Sequence, residues 1–103
     1  MSGASRAKGQ RGESEMRAVF EAHGFRVQAS QRNLGGSQGD ATVIAVRHVL
    51  HVECKRRERF NVWEALAQAE AECGELMPVV AFRRNRSPWY AAIRLETLAE
   101  LLA

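Results

Sequence analysis

Residues 41 to 55 constrain the fold more than any other stretch of the chain. Ala41 to Val46 and Val49 to Lys55 are rich in Val, Ile, Leu and Thr and are separated only by Arg47-His48, so they read as a β-hairpin. Side chains alternate along a strand: Leu50, Val52 and Cys54 form an apolar row for the core, while His51, Glu53 and Lys55 share the other face. Asp40 stands just before the hairpin. A loop of even length places it on the face of Glu53; an odd loop places it on the opposite face. With Arg47-His48 as a two-residue loop, Asp40 stands opposite Lys55 and Thr42 opposite Glu53, and the two acids are diagonal neighbours roughly 7–8 Å apart at the backbone. Arg-His lacks the Asn-Gly chemistry of a tight primed turn, so the loop length stays open.

Two acids and a lysine on one half-buried face suit a particular chemistry. Carboxylate oxygens are hard ligands for Mg²⁺, which keeps several waters and takes one or two carboxylates together with phosphate oxygens. Such an ion polarises phosphate and generates hydroxide, and an ammonium beside it orients the attacking water or offsets developing charge. The bland alternative is a cross-strand Asp40–Lys55 ion pair worth about 0.2–1 kcal/mol, which needs no function.

Further motifs carry a family resemblance. Lys8-Gly9-x-x-x-Glu13-x-Glu15 continues to His23-Gly24-Phe25; Asp40 and Glu53-Cys54-Lys55 follow; then Cys73-Gly74 leads into Pro78-Val79-Val80-Ala81-Phe82, and Trp89-Tyr90 comes last. In this order they resemble the PD-(D/E)XK nucleases, most closely the archaeal-type Holliday junction resolvases. The resemblance implies a restriction-endonuclease-like core, a catalytic glutamate at Glu13, and metal ligation by Asp40, Glu53 and the Cys54 backbone carbonyl. It also implies Lys55 acting on water or phosphate, Mg²⁺ with Mn²⁺ as a substitute, and a homodimer on DNA four-way junctions. A two-fold dimer matches the symmetry of the junction. Two departures stand out. Gly39 precedes Asp40 where the superfamily is named for proline, and Gln28 to Gly39 is longer than in compact resolvases, leaving Arg32 and Ser37 as its candidate DNA contacts.

Periodicity gives the remaining elements. Met1 to Gly9 reads as a mobile basic arm, and residues 10–103 as a single domain. A helix starts near Gln10 to Gly12 and ends before Gly24. Glu13, Met16 and Phe20 share helical spacing, so Glu13 edges the core-facing stripe; by residue pattern alone it is a first-turn acid worth about 0.3–1 kcal/mol. Glu15 falls with Val19 and Ala22 and is the second choice for the helix acid. Phe25 to Ala29 is a strand, and Gln31 to Gly39 a glycine-rich loop. Asn61 caps a helix with Glu64 at its third position, presenting Val62, Leu66, Ala69 and Cys73 and stopping at Gly74. Gln68 falls off that stripe, toward solvent. Met77 to Phe82 and Trp89 to Arg94 are strands, and Leu95 to Ala103 is a helix with Leu98, Leu101 and Leu102 as its apolar face. Trp63, Trp89 and His51 are expected to pack in the core. The order α-β-β-β-α-β-β-α predicts an α/β fold, a mixed sheet flanked by helices, with an added strand and C-terminal helix after the α-β-β-β-α-β core.

Charge points toward nucleic acid. The chain of 103 residues holds 15 Lys+Arg against 12 Asp+Glu, a net +3, and the distribution matters more than the total. Arg56, Arg57 and Arg59, then Arg83, Arg84 and Arg86, and Arg6, Lys8 and Arg11 bracket the acid site as a prospective phosphate-binding rim. Each cluster taken singly is also what a solvated turn looks like. Two cysteines without C-x-x-C spacing argue against a cysteine zinc site. No run is long enough to cross a membrane, and the expected location is cytoplasmic, nucleoid-associated or phage-encoded. The expected activity is Mg²⁺-dependent endonucleolytic hydrolysis of DNA at branched junctions. The alternatives are a nickase or restriction-like nuclease on another DNA structure, or a DNA-binding protein that never cuts.

Overall fold

The alternation along residues 41–55 does form a hairpin, but its loop has four residues, not two. In the computed structural model, which describes residues 2–29 and 40–103 with side chains from Arg11 onward, Ile44 pairs with Val49 and Ala41 with Val52. The loop is closed by the Ala45 amide, which donates to the His48 carbonyl at 2.9 Å. Four is still even, so the face assignment holds while the register moves by two residues. Thr42 now pairs with His51, and one further step brings Asp40 level with Glu53 rather than Lys55.

Eight elements follow in the expected order: α1 (Ser2–Ala22), β1 (Arg26–Ala29), β2 (Ala41–Ile44), β3 (Val49–Arg56), α2 (Val62–Glu72), β4 (Met77–Arg83), β5 (Tyr90–Ala92) and α3 (Leu95–Leu102). The strands lie side by side in chain order as one sheet. Pairing is antiparallel except between β3 and β4. A parallel pair needs a crossover, and α2 supplies it. The chain is thus α/β with a five-stranded mixed sheet flanked by helices.

α1 begins at Ser2, well before Gln10 to Gly12, so the segment expected to be a free arm belongs to the helix. Ala4, Arg6, Ala7, Lys8, Gln10 and Arg11 are good helix formers and no proline interrupts them, which offsets the glycines at 3, 9 and 12. Gly24, at φ +90, sits in the turn that follows the helix. Gly12 has a different role: a Cβ there would lie 2.7 Å from Arg56 Cβ, so the glycine lets the helix approach β3 closely.

The sheet is covered on both faces. On one, Met16 of α1 packs with Val27, Ala41, Val43, Val52, Val79 and Ala81, flanked by Phe20, Leu50, Cys54 and Trp89. Glu15 pins α1 there by accepting from Arg56 Nε and Arg83 Nη1, both at 3.1 Å. On the other face a smaller cluster joins Ala65, Ala69 and Val80, with Phe60, Leu66 and Phe82 beside it. Asn61 caps α2 as expected, its side chain accepting from the amides of Trp63 and Glu64 at 2.9 and 3.1 Å.

Two apolar expectations are corrected. Trp63 is 77% exposed, because α2 turns Ala65 and Ala69 to the sheet and Trp63 outward. In α3 the residue that is buried is Thr97, while Leu95, Leu98 and Leu102 are exposed. The α3 start is tied to α2 through Arg94, whose Nη2 donates to Glu70 Oε1 at 2.8 Å. Among the described residues, no helix is long and apolar enough to cross a membrane.

Candidate metal centre

Strand alternation and the even loop together place the polar row of β3 beneath α2. His51, Glu53 and Lys55 lie on the α2 side of the sheet, and Asp40, the residue just before β2, joins the same face. His51 and Glu53 are both 0% exposed and Asp40 is buried. His51 Nε2 stands 3.4 Å from Glu53 Oε1 and 4.0 Å from Asp40 Oδ2. α2 contributes a third carboxylate: one ligand atom each from Asp40, His51, Glu53 and Glu72 lies within 4.8 Å of the others. This buried group could hold a metal ion.

The donor set fits a cation on physical grounds. Glu53 Oε2 and Glu72 Oε1 are buried and accept no hydrogen bond from described groups, and three carboxylates share a small volume with one lysine. Such lone pairs are penalised unless a cation or a proton meets them. The titration directions reflect the same crowding. The hydrogen bond with Glu53 raises His51 above its ordinary value; burial opposes this, and the charges of Asp40, Glu53 and Glu72 add to it. Burial pushes the Glu53 carboxyl up, but hydrogen bonds with His51 and Asp40 and the Lys55 charge outweigh it, leaving it below the usual value.

Lys55 Nζ lies 3.8 Å from Glu53 Oε2 and donates to Gln68 Oε1 at 3.3 Å. Gln68, expected in solvent, therefore holds the lysine at the edge of the acid group. Of the expected stripe Val62, Leu66, Ala69 and Cys73, Ala69 and Cys73 are buried and Leu66 packs against the sheet-side cluster, but that surface also takes in Ala65, with Gln68 and Glu72 half-buried along it. Glu72 was missed for that reason. Its signal was an acid spaced three and four residues from Ala69 and Gln68, on a helix whose small alanines allow close approach to the sheet.

The helix acids behave differently from expectation. Glu13 is not part of the ligand group; it lies 3.8 Å from Arg17, on a helix that covers the opposite face of the sheet. Glu15 is a structural partner of Arg56 and Arg83. Those two arginines, expected on a DNA-binding rim, are thereby engaged on the α1 face. Arg11, Arg57, Arg59, Arg84 and Arg86 are exposed. Arg32, Ser37 and the Gln31 to Gly39 loop lie outside the described residues, as does the side chain of Lys8. The Cys54 side chain packs toward α1, on the face opposite His51 and Glu53, and burial together with the charges of Asp40, Glu13 and Glu15 pushes its thiol up to about 12. No protein-family model matches the chain, and no curated protein matches its sequence.

Proposed function

We propose that the chain is a metal-dependent endonuclease acting on intracellular DNA, with a restriction-endonuclease-like core and branched junctions as its substrate. One observation carries this reading: Asp40 and Glu53 meet on a single face with Lys55 held at their edge by Gln68. An antiparallel meander of three strands, followed by a helix and a parallel fourth strand, supports the core assignment. Asp40, His51, Glu53 and Glu72 would hold the ion, whose chemistry is to polarise phosphate and make hydroxide available at neutral pH. Lys55 binds a phosphate oxygen or orients water, and Gln68 fixes its position. Oxygen donors alone suit Mg²⁺; the imidazole in this set shifts the preference toward Mn²⁺. Symmetric cutting of a four-way junction requires two such sites, which a homodimer provides.

The complete burial of His51 and Glu53 favours one rival, a closed metal site that only stabilises a DNA-binding protein. Cleavage of synthetic four-way junctions with Mn²⁺ or Mg²⁺, beside linear duplex, flap and single-stranded controls, separates the readings. Preferential, paired cutting of the junction is expected. Equal cutting of junction and duplex removes the resolvase assignment, cutting of one strand makes the protein a nickase, and metal binding without any cleavage establishes the rival. Asp40→Asn and Glu53→Gln are expected to lower cleavage by about two orders of magnitude or more, since even groups supporting a ligand often contribute 10–100-fold. Unchanged cleavage in both would remove the site.

A further inference from the structure

Beyond Lys55, the same face of the sheet opens into a cavity of about 290 Å³ lined by Arg57, Phe60, Phe82, Arg84, Ser87 and Tyr90, among others. Its placement follows from register. Lys55 pairs with Phe82, and Phe82 with Tyr90, so the cavity wall continues the row that carries Glu53 and Lys55. Arg57 lies four residues along from Glu53, or about 13 Å of strand.

The wall is aromatic. Phe60 and Phe82 have ring centroids 5.2 Å apart, and Phe82 and Tyr90 stack at 5.9 Å with 28° between planes. Tyr90 ends this ladder and is 55% exposed, leaving ring surface open to a planar group. The rim carries three arginines, Arg57, Arg83 and Arg84, against one acid, Glu58; no described acid pairs with Arg57 or Arg84, and both are exposed. Its turn is held in shape by the Ser87 hydroxyl accepting from the Arg84 amide at 3.1 Å and by Glu58 Oε2 accepting from the Asn85 amide at 2.6 Å. The volume is near the small end of ligand pockets, which run from roughly 300 Å³ upward.

We infer that this cavity binds one unpaired nucleotide of the DNA, its base stacked on the Tyr90–Phe82–Phe60 ladder and its phosphate on Arg57 and Arg84. Aromatic stacking needs a base face that a continuous duplex keeps covered, while a frayed end or branch point presents one. The cavity thus selects the strand that leaves the duplex beside the acid group, giving a physical origin for recognition of DNA structure over DNA sequence. The inference rests on the nucleic-acid reading of the acid site, but not on catalysis.

The test uses the full chain in EDTA and a short DNA duplex carrying one unpaired 2-aminopurine nucleotide at its end, beside the blunt duplex. Fluorescence anisotropy is expected to show tighter binding of the overhang, and 2-aminopurine emission to be quenched as the base stacks. Tyr90→Ala should weaken overhang binding about tenfold or more and abolish the quenching while sparing the blunt duplex; Tyr90→Phe should retain both. Circular dichroism melting confirms that the variants fold, which the exposure of Tyr90 favours. Arg84→Ala should weaken binding and flatten its salt dependence. Equal affinity of the wild-type chain for the two DNAs, or equal weakening of both by Tyr90→Ala, overturns the inference. A chain that cuts DNA without overhang preference loses this inference alone; one that prefers the overhang and never cuts loses only the catalytic reading.

Discussion

The two faces of β3 differ more than any other adjacent regions of the molecule. Toward α1, Leu50, Val52 and Cys54 join a continuous apolar layer with Met16 at its centre. Toward α2, His51 and Glu53 are equally buried, yet the apolar cluster beside them is small and built partly from alanines. A single strand therefore carries an apolar core row on one face and a buried polar group that could hold a metal ion on the other. Burial alone does not distinguish core from site; what distinguishes them is that the buried groups on the α2 side are ionisable and crowded together.

The contrast is sharpest in packing. Met16→Ala should cost about 2–5 kcal/mol in denaturant unfolding, because removing a wholly buried side chain from the centre of this cluster leaves unfilled space. Leu66→Ala, half-buried on the α2 face, should cost clearly less. Equal losses would break the asymmetry. Next in size is metal. Mn²⁺ at a hundred times its dissociation constant should stabilise the chain by about 2.7 kcal/mol, read as a rise in melting temperature over an EDTA control. Glu72→Gln should remove most of that rise without lowering stability in EDTA, since it deletes one of three clustered charges. A Glu72→Gln protein that responds fully to Mn²⁺ would exclude the α2 ligand.

Gly12→Ala tests how closely α1 lies on β3. Helix propensity alone favours alanine by about 1 kcal/mol, but the new Cβ meets Arg56 Cβ, so the substitution should instead destabilise by about 1–3 kcal/mol. A gain in stability would mean that the helix can lift off. The smallest expected signal is a near-absence of reaction. With its thiol pushed up to about 12, Cys54 carries only about one thiolate in ten thousand at pH 8, so native alkylation should be very slow and should rise about tenfold per pH unit up to that value. Rapid labelling of Cys54 at pH 8 would contradict the burial and nearby acids that raise its thiol.

Much of this was legible in the sequence for a local reason. Strand alternation has a period of two, so the division of residues 50 to 55 between two faces followed from residue types alone, as did the α-β-β-β-α-β-β-α order and the Asn61 cap. The parity argument also survived a wrong loop length, because a shift of two residues preserves faces. The α2 stripe was legible only in part: Ala69 and Cys73 are buried and Leu66 packs beside them, but periodicity did not show that Ala65, Gln68 and Glu72 join that surface, which depends on how small residues let the helix settle on β3 and β4.

By itself, then, the sequence determined the order of the elements and the polar row His51-x-Glu53-x-Lys55, and tied the side of Asp40 to the parity of a loop that the structure then showed to be even. Only the tertiary structure decided that α1 and its acids cover the opposite face, that Glu15 engages Arg56 and Arg83, and that Gln68 and Glu72 complete the acid site. Each of these depends on how a helix is rotated and laid against the sheet. Those choices are made by packing between residues distant in the chain, which local periodicity does not record.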